Sequence, residues 1–294
     1  MNKVIAIIQG GLGNQLFGYA AARRLALVNK AELVIDDLTG FVREKQFGRK
    51  YSLDKFSISA RKATAAERLE PCGRLRRALM IRLSRLKPFE LRRYLEQEQN
   101  DFDQRLLDFK VNDTVYLDGY WQSEGYFKDV EQFIRKDLMI KKPEDKTNRD
   151  AAEQIRGCNA VAVHVRWFDA PGCISSLNLS AGYYQRAIGL MDQKLADPRY
   201  FLFSDDPEPA LAKLTLPRDR TTIVSHNLGD ENASADLWLM SQCKHFIIAN
   251  STFSWWGAWL SGHDSKIIIA PDLRLTGITS WGFPGLIPEY FTLV

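Results

Sequence analysis

The chain has 294 residues, of which 45% are hydrophobic and 26% charged, enough to bury a substantial core and to build two domains of ordinary size. Its net charge of +4 is modest, and no nucleic-acid partner is expected. The four cysteines, Cys72, Cys158, Cys173 and Cys243, show no C-x-x-C spacing. That excludes a zinc ribbon or a disulfide framework and fits a reducing, cytoplasmic setting.

The chain opens with MNKVIAIIQGG, whose five consecutive strongly apolar residues are too few for a signal peptide or a membrane span. They predict a strand over Val4–Ile8, followed by a glycine-rich turn, a helix over Asn14–Val28 and a strand over Glu32–Ile35. From Arg61 to about Asp108 the chain reads as helical and basic, with eleven Lys or Arg and three acids between Arg61 and Arg93. In GRLRRALMIRLSRL, apolar residues at partly helical spacing alternate with arginines. A solvated connector or a cap over the acceptor site is one reading, and peripheral contact with the anionic inner membrane is another. A strand over Thr114–Trp121 and a helix over Glu124–Leu138 follow. The polar, proline-containing stretch Lys141–Asn148 sets the expected boundary between an N-terminal domain, residues 1–145 with an insertion at about 61–110, and a C-terminal domain, residues 146–294.

In the second half, short β-branched runs alternate with helical stretches, the pattern of βαβ units. The expected strands are Val161–Val165, Tyr200–Ser204, Thr221–Ser225, His245–Ala249 and Lys266–Ala270. Helices are expected over Leu179–Ala196, Pro207–Thr215, Ala233–Cys243 and Thr252–Ser261. The fold class is therefore α/β, with a parallel, doubly wound sheet in the C-terminal half.

Ligands of such sheets bind beyond the carboxyl ends of the strands. The polar residues there are His164, Arg166 and Asp169, then Asp205 and Asp206, then His226 and Asn227, then Asn250, Ser251 and Thr252. After the fourth strand, a helix begins at once within ANSTFSWW, Ala249 to Trp256. Its unpartnered first-turn amides and the hydroxyls of Ser251 and Thr252 suit a phosphate, with ordinary capping as the competing reading. Arg166 can hold two phosphate oxygens and neutralise a departing diphosphate, and His164 shares its pleat parity. Asp101-Phe102-Asp103 has the form of a metal-binding pair but follows no buried strand, so no metal is expected.

Two rival readings exist. The turn Gly10-Gly11-Leu12-Gly13, with Asp36 some twenty residues on, partly resembles a dinucleotide-binding fingerprint and would suit an NAD-dependent oxidoreductase, although Leu16 stands where the third glycine belongs. The seven tryptophans would suit a non-catalytic glycan-binding module, but Trp255, Trp256 and Trp259 have the spacing of a buried helix face.

Four segments taken together resemble the bacterial α-1,2-fucosyltransferases of glycosyltransferase family 11, relatives of the blood-group H enzymes. They are GGLGNQLFGYAAARRLA from Gly10, LDGYWQSEGYF from Leu117, VAVHVRWFD from Val161 and DLWLMSQCKHFIIANSTFSWWGAWL from Asp236. The resemblance implies a GT-B fold of two Rossmann-like domains, an N-terminal one on the acceptor side and a C-terminal one for GDP-β-L-fucose. It further implies inverting transfer to the 2-hydroxyl of a terminal galactose in an oligosaccharide. His164 and Arg166 would be the H-x-R motif, with Arg166 on the β-phosphate. Asp236 would recognise guanine or ribose beside His164 and Phe253, and Asp205, Asn250, Ser251, Thr252, Gly11 and Gly13 would complete the donor site. Asn14 would sit near the fucose and the acceptor hydroxyl, joined by Gln15, Trp121 and Trp167 on the acceptor side. The usual H-x-R-R-G-D reads His164-Val165-Arg166-Trp167-Phe168-Asp169 here, so the second arginine and the glycine are replaced by aromatic residues.

Overall fold

The computed structural model describes the chain except residues 43, 45, 46, 168–176 and 274–284. Phe168, Asp169 and Cys173 lie outside the described residues. The chain forms two units, one of Met1–Met139 together with Gly285 and Leu286, the other from Ile140 onward and including Ile287–Val294.

The first unit contains β1 (Lys3–Ile7), α1 (Leu12–Val28), β2 (Glu32–Asp36), β3 (Arg61–Lys62), α2 (Gly73–Arg85), β4 (Tyr94–Glu96), α3 (Arg105–Asp108), β5 (Thr114–Asp118) and α4 (Glu131–Asp137). Its five strands pair in parallel in the order β3-β2-β1-β5-β4. The central strand β1 is buried, which is why VIAII is apolar without alternation. Helix α1 is apolar nearly all round and correspondingly buried. It starts at Leu12, two residues before the predicted Asn14, because Gly11 takes the N-cap position and its carbonyl accepts from the Asn14 and Gln15 amides at 2.9 and 3.0 Å.

Three predicted elements differ. The basic segment is not one helical run: β3 and β4 extend both edges of the sheet, held by pairing with β2 and β5 and by burial of Ala63, Tyr94 and Leu95. The strand predicted to reach Trp121 stops at Asp118, where Gly119 at φ +148° turns the chain. The helix predicted from Glu124 is broken into 3-10 turns at Glu124–Tyr126 and Lys128–Val130 before α4. Phe127, with φ −143°, interrupts the helical path between those turns.

The second unit contains α5 (Lys146–Arg156), β6 (Asn159–Val165), α6 (Ala181–Lys194), β7 (Pro198–Ser204), α7 (Pro207–Lys213), β8 (Thr221–Val224), α8 (Ala233–Ser241), β9 (His245–Ile247), α9 (Thr252–Leu260), β10 (Ile268–Ala270) and β11 (Thr292–Leu293). The order is β11-β10-β9-β6-β7-β8, again entirely parallel. The five predicted strands are present, and the two-residue β11, too short to show a pattern, adds a sixth. Ser180 caps α6 by accepting from the Tyr183 amide, and Pro207 opens α7. Trp255, Trp256 and Trp259 are buried and pack on one another. No helix of the described residues is long and apolar enough to cross a membrane.

Candidate functional site

In the second unit, β6, β7 and β8 proceed in one direction across the sheet, and the chain then returns to lay β9, β10 and β11 on the other side of β6. Strand order therefore reverses between β6 and β9, the place where open parallel sheets commonly bind their ligands. His164, next to last in β6, and Asn250 to Phe253, just beyond β9, meet there. The His164 and Phe253 rings lie 5.6 Å apart, tilted by 39°. His164 is buried, and its Nδ1 has no hydrogen-bond partner among the described residues. Burial, reinforced by the charge of Arg166, pushes its pKa down to about 3, so the ring is neutral at physiological pH.

Two tyrosines of α6 that sequence reasoning passed over fix these strand ends. The Tyr184 hydroxyl donates to the His164 carbonyl at 3.2 Å, and that of Tyr183 donates to the Ile248 carbonyl at 2.6 Å. Their only sequence signal was a Tyr-Tyr pair within an amphipathic helix.

At the mouth of the neighbouring strands, Arg166 Nη1 donates to Asp205 Oδ2 at 2.6 Å. The Trp167 amide donates to Asp205 Oδ1 at 3.2 Å, and Trp167 Nε1 donates to the Asp206 carbonyl at 3.0 Å. Asp205 thus grips both the guanidinium and the backbone that carries it. Asn250 Nδ2 donates to the Leu177 carbonyl at 2.8 Å, while its buried Oδ1 has no partner among the described residues. Ser251 is the N-cap of α9: its Oγ accepts from the Phe253 amide at 3.3 Å and its carbonyl accepts from the Trp255 amide at 3.1 Å. Capping is therefore realised at this residue, and Thr252 begins the helix beside it.

Asp236, in the first turn of α8, belongs to a separate polar group. Asn227 Nδ2 donates to Asp236 Oδ1 at 3.0 Å and to Asn148 Oδ1 at 2.8 Å, while Asn148 Nδ2 returns a bond to Asn227 Oδ1 at 3.0 Å. His226 Nε2 lies 3.1 Å from Asn148 Oδ1. Burial pushes the Asp236 carboxyl up to about 7, opposed by the Asn227 bond. Asn148, read from sequence only as the end of a polar linker, is buried and completes this network.

The first unit has its own reversal of strand order, between β1 and β5. Gln9 Nε2 donates to Asp118 Oδ1 at 3.2 Å, Tyr94 Oη to Asp118 Oδ2 at 2.6 Å, and Gln122 Nε2 to Asn14 Oδ1 at 2.7 Å. Gly10 has φ +75°, and a Cβ there would lie 2.9 Å from Asn14 Nδ2 and 3.0 Å from the Tyr120 ring. A cavity of about 290 Å³ opens beside them, lined by Gln9, Glu96, Gln97, Asp118, Gly119 and Tyr120 among others. Gly11 lies close to Arg49, and Gly13 is buried in the first turn of α1.

Two residues expected on the acceptor side are engaged inside this unit. Gln15 Nε2 donates to the Gly10 and Lys50 carbonyls, and its Oε1 accepts from the Ser52 amide, all at 2.9 Å. It pins the loop instead of facing outward. Trp121 is 1% exposed, at φ +51°, and packs edge-on against Tyr126 with 5.5 Å between ring centroids. Tyr120 is the exposed aromatic residue here. In the D-x-D segment, Asp103 pairs with Arg105 at 2.6 Å, which holds its carboxyl below the usual range. Among the described residues, no three His, Cys, Asp or Glu gather as a metal site.

A model of glycosyl transferase family 11 matches residues 3–276. The chain belongs to glycosyl transferase family 11. It is 29% identical to an Escherichia coli alpha-1,2-colitosyltransferase, covering 92% of each chain. It is also 26% identical to the Escherichia coli O-antigen biosynthesis glycosyltransferase WbnK, covering 90% of this chain and 92% of that one. Mouse galactoside 2-alpha-L-fucosyltransferase Sec1 is 25% identical over 51% of this chain and 43% of its own length.

Among solved structures, a GDP complex of an Arabidopsis thaliana FUT1 mutant aligns with TM-score 0.56 at 16% identity, over 99% of this chain and 76% of that one. NodZ alpha-1,6-fucosyltransferase soaked with GDP-fucose aligns with TM-score 0.51 at 16% identity, over 93% and 96%. These likenesses establish the fold as GT-B-like, built from two Rossmann-like domains. Family membership also decides for sugar transfer over the oxidoreductase and glycan-binding readings.

Proposed function

We propose that the protein moves L-fucose, with inversion, from GDP-β-L-fucose to the 2-hydroxyl of a terminal galactose in an oligosaccharide. The observation that carries this reading is the group of side chains at the reversal of strand order between β6 and β9. There a neutral His164 meets Phe253 and the capped end of α9, with Arg166 one strand end away. In a family 11 chain, that set suits a nucleotide diphosphate-sugar.

Arg166 and the α9 terminus, with Ser251 and Thr252, take up charge on the β-phosphate as the bond to C1 of fucose breaks. The cation and the helix end supply the charge neutralisation that a metal would otherwise bring, so chelation with EDTA is expected to leave the rate unchanged. Asp236, presented by Asn227, accepts from the guanine base, while His164 and Phe253 line the nucleotide. Asp205 acts through Arg166, and Asn250 offers its buried oxygen to the donor. Gly11 and Gly13 leave the α1 loop open to close approach by a ligand. Asn14, oriented by Gln122, contacts the acceptor, whose hydroxyls suit the amide- and carboxylate-lined cavity at Gln9 and Asp118. Trp167, its ring fixed by the Asp206 carbonyl, offers an aromatic face suited to a pyranose ring.

A second donor is favoured by one observation: the Escherichia coli relative at 29% identity is a colitosyltransferase. Colitose is L-fucose without its 3-hydroxyl. The deciding experiment offers GDP-fucose and GDP-colitose with lactose, lacto-N-biose and N-acetyllactosamine, and reads the product linkage by NMR. A fucoside on O2 of galactose is expected. Preference for GDP-colitose would overturn the donor, and a linkage elsewhere would overturn the acceptor site.

A further inference from the structure

Helix α2 carries two apolar faces, of which the sheet covers one. Met80 and Ile81 pack against the cluster of Ile5, Ile7, Val34, Ala63, Tyr94 and Tyr116, and the buried Ser84 Oγ accepts from the Tyr94 amide at 3.2 Å. At 100° per residue, Leu75, Leu79 and Leu83 form a stripe well round the helix from those contacts, extended by Leu86 at the C-cap. These leucines are 70%, 58%, 49% and 79% exposed, an outward stripe where a helix on a sheet normally shows polar residues.

The flanks of the stripe are basic. Arg76 lies on one side, and Arg74, Arg82 and Arg85 on the other. From Gly73 to Lys87 there are six Arg or Lys and no acid. Arg85 pairs with Glu96, whereas among the described residues Arg74, Arg82 and Lys87 make no ion pair. Two copies joined through this face would bring five cations against five, since Arg77 turns inward to Thr39 and the Arg68 carbonyl, so charge argues against self-association. A purely polyanionic partner would leave the leucines in water. A surface that offers phosphates in a plane above hydrocarbon satisfies both features.

We propose that α2 is an interfacial anchor that lies in the plane of an anionic lipid bilayer, with its leucine stripe in the acyl boundary and its arginines on lipid phosphates. The 13-residue helix is about 20 Å long, enough to set Leu75 through Leu86 in one shallow trough. The anchor is independent of the donor and acceptor assigned to the enzyme.

The test is flotation of the full chain with phosphatidylcholine vesicles, with and without phosphatidylglycerol, at low and high salt. Binding to anionic vesicles that weakens with salt is expected. Arg82→Gln with Lys87→Gln should lower the partition coefficient by roughly fivefold per charge removed, and Leu79→Ser with Leu86→Ser should lower it by about tenfold or more. Both pairs are exposed, so transfer to a soluble acceptor should be unchanged. Absence of binding to anionic vesicles, undiminished binding by the serine pair, or leucine-dependent dimerisation in sedimentation velocity would each overturn the proposal.

Discussion

At the reversal of strand order in the second unit, the polar groups are a neutral histidine and a helix cap, with an arginine–aspartate pair one strand end away; at that in the first, they are amides and a carboxylate bonded to one another. Arg166, paired with Asp205, and the α9 terminus offer groups that can meet an anion near the parting strands, and few residue types can do so. Gln9, Asn14, Asp118 and Gln122 instead form pairs of donors and acceptors, which many side chains could supply. The first arrangement suits a phosphate and the second a polyol.

Arg166→Ala probes the contrast most severely. Removing the cation should lower kcat by about 10²–10³-fold, as for other groups that stabilise transition-state charge, with circular dichroism unchanged. Near-normal turnover would dissolve the distinction between the two regions.

Asp236 comes next. Its carboxyl is held up to about 7 by burial, and guanine N–H groups need the ionised form. GDP affinity should rise about tenfold per pH unit below 7 and level off above it, with proton release visible in titrations in different buffers. Without GDP the sign reverses. The unfolded state loses this proton near the ordinary carboxylate value, while the folded state keeps it to about 7, so stability should fall as pH rises through that window. Asp236→Asn should flatten both profiles, and an unchanged affinity profile would remove Asp236 from the base site.

The smallest effect is expected in the first unit. Gly10→Ala meets a positive φ and a Cβ 2.9 Å from Asn14, costing roughly 1–2 kcal/mol of local strain. It should raise the acceptor KM several-fold while leaving GDP affinity intact. If GDP binding weakened equally, the two regions could not be treated as separate sites.

Much of the second unit was legible because five of its strands are buried runs bounded by helices with clear starts, as at Pro207 and Ser251. His164, Arg166 and Ser251 follow from their positions after those runs. What escaped was held by tertiary contacts. Tyr183 and Tyr184 matter through the strand carbonyls they reach, and Asn148 matters through Asn227, 79 residues away. The insertion was misread because two- and three-residue edge strands carry no period of their own. Trp121 looked like a sugar platform by residue type, yet its positive φ folds it inward, which sequence does not reveal.

If Arg166 holds the diphosphate as proposed, its pair with Asp205 makes the site an exchanger. With side chains 27% and 36% exposed, the ion pair is worth about 1 kcal/mol or less. A doubly charged diphosphate at the helix terminus can displace the carboxylate, whereas a singly charged ion gains little by doing so. On that reading, the guanidinium passes from one anion to another when GDP departs and is never left bare. Selection of the proposed donor and release of the spent nucleotide would then draw on the same weak bond.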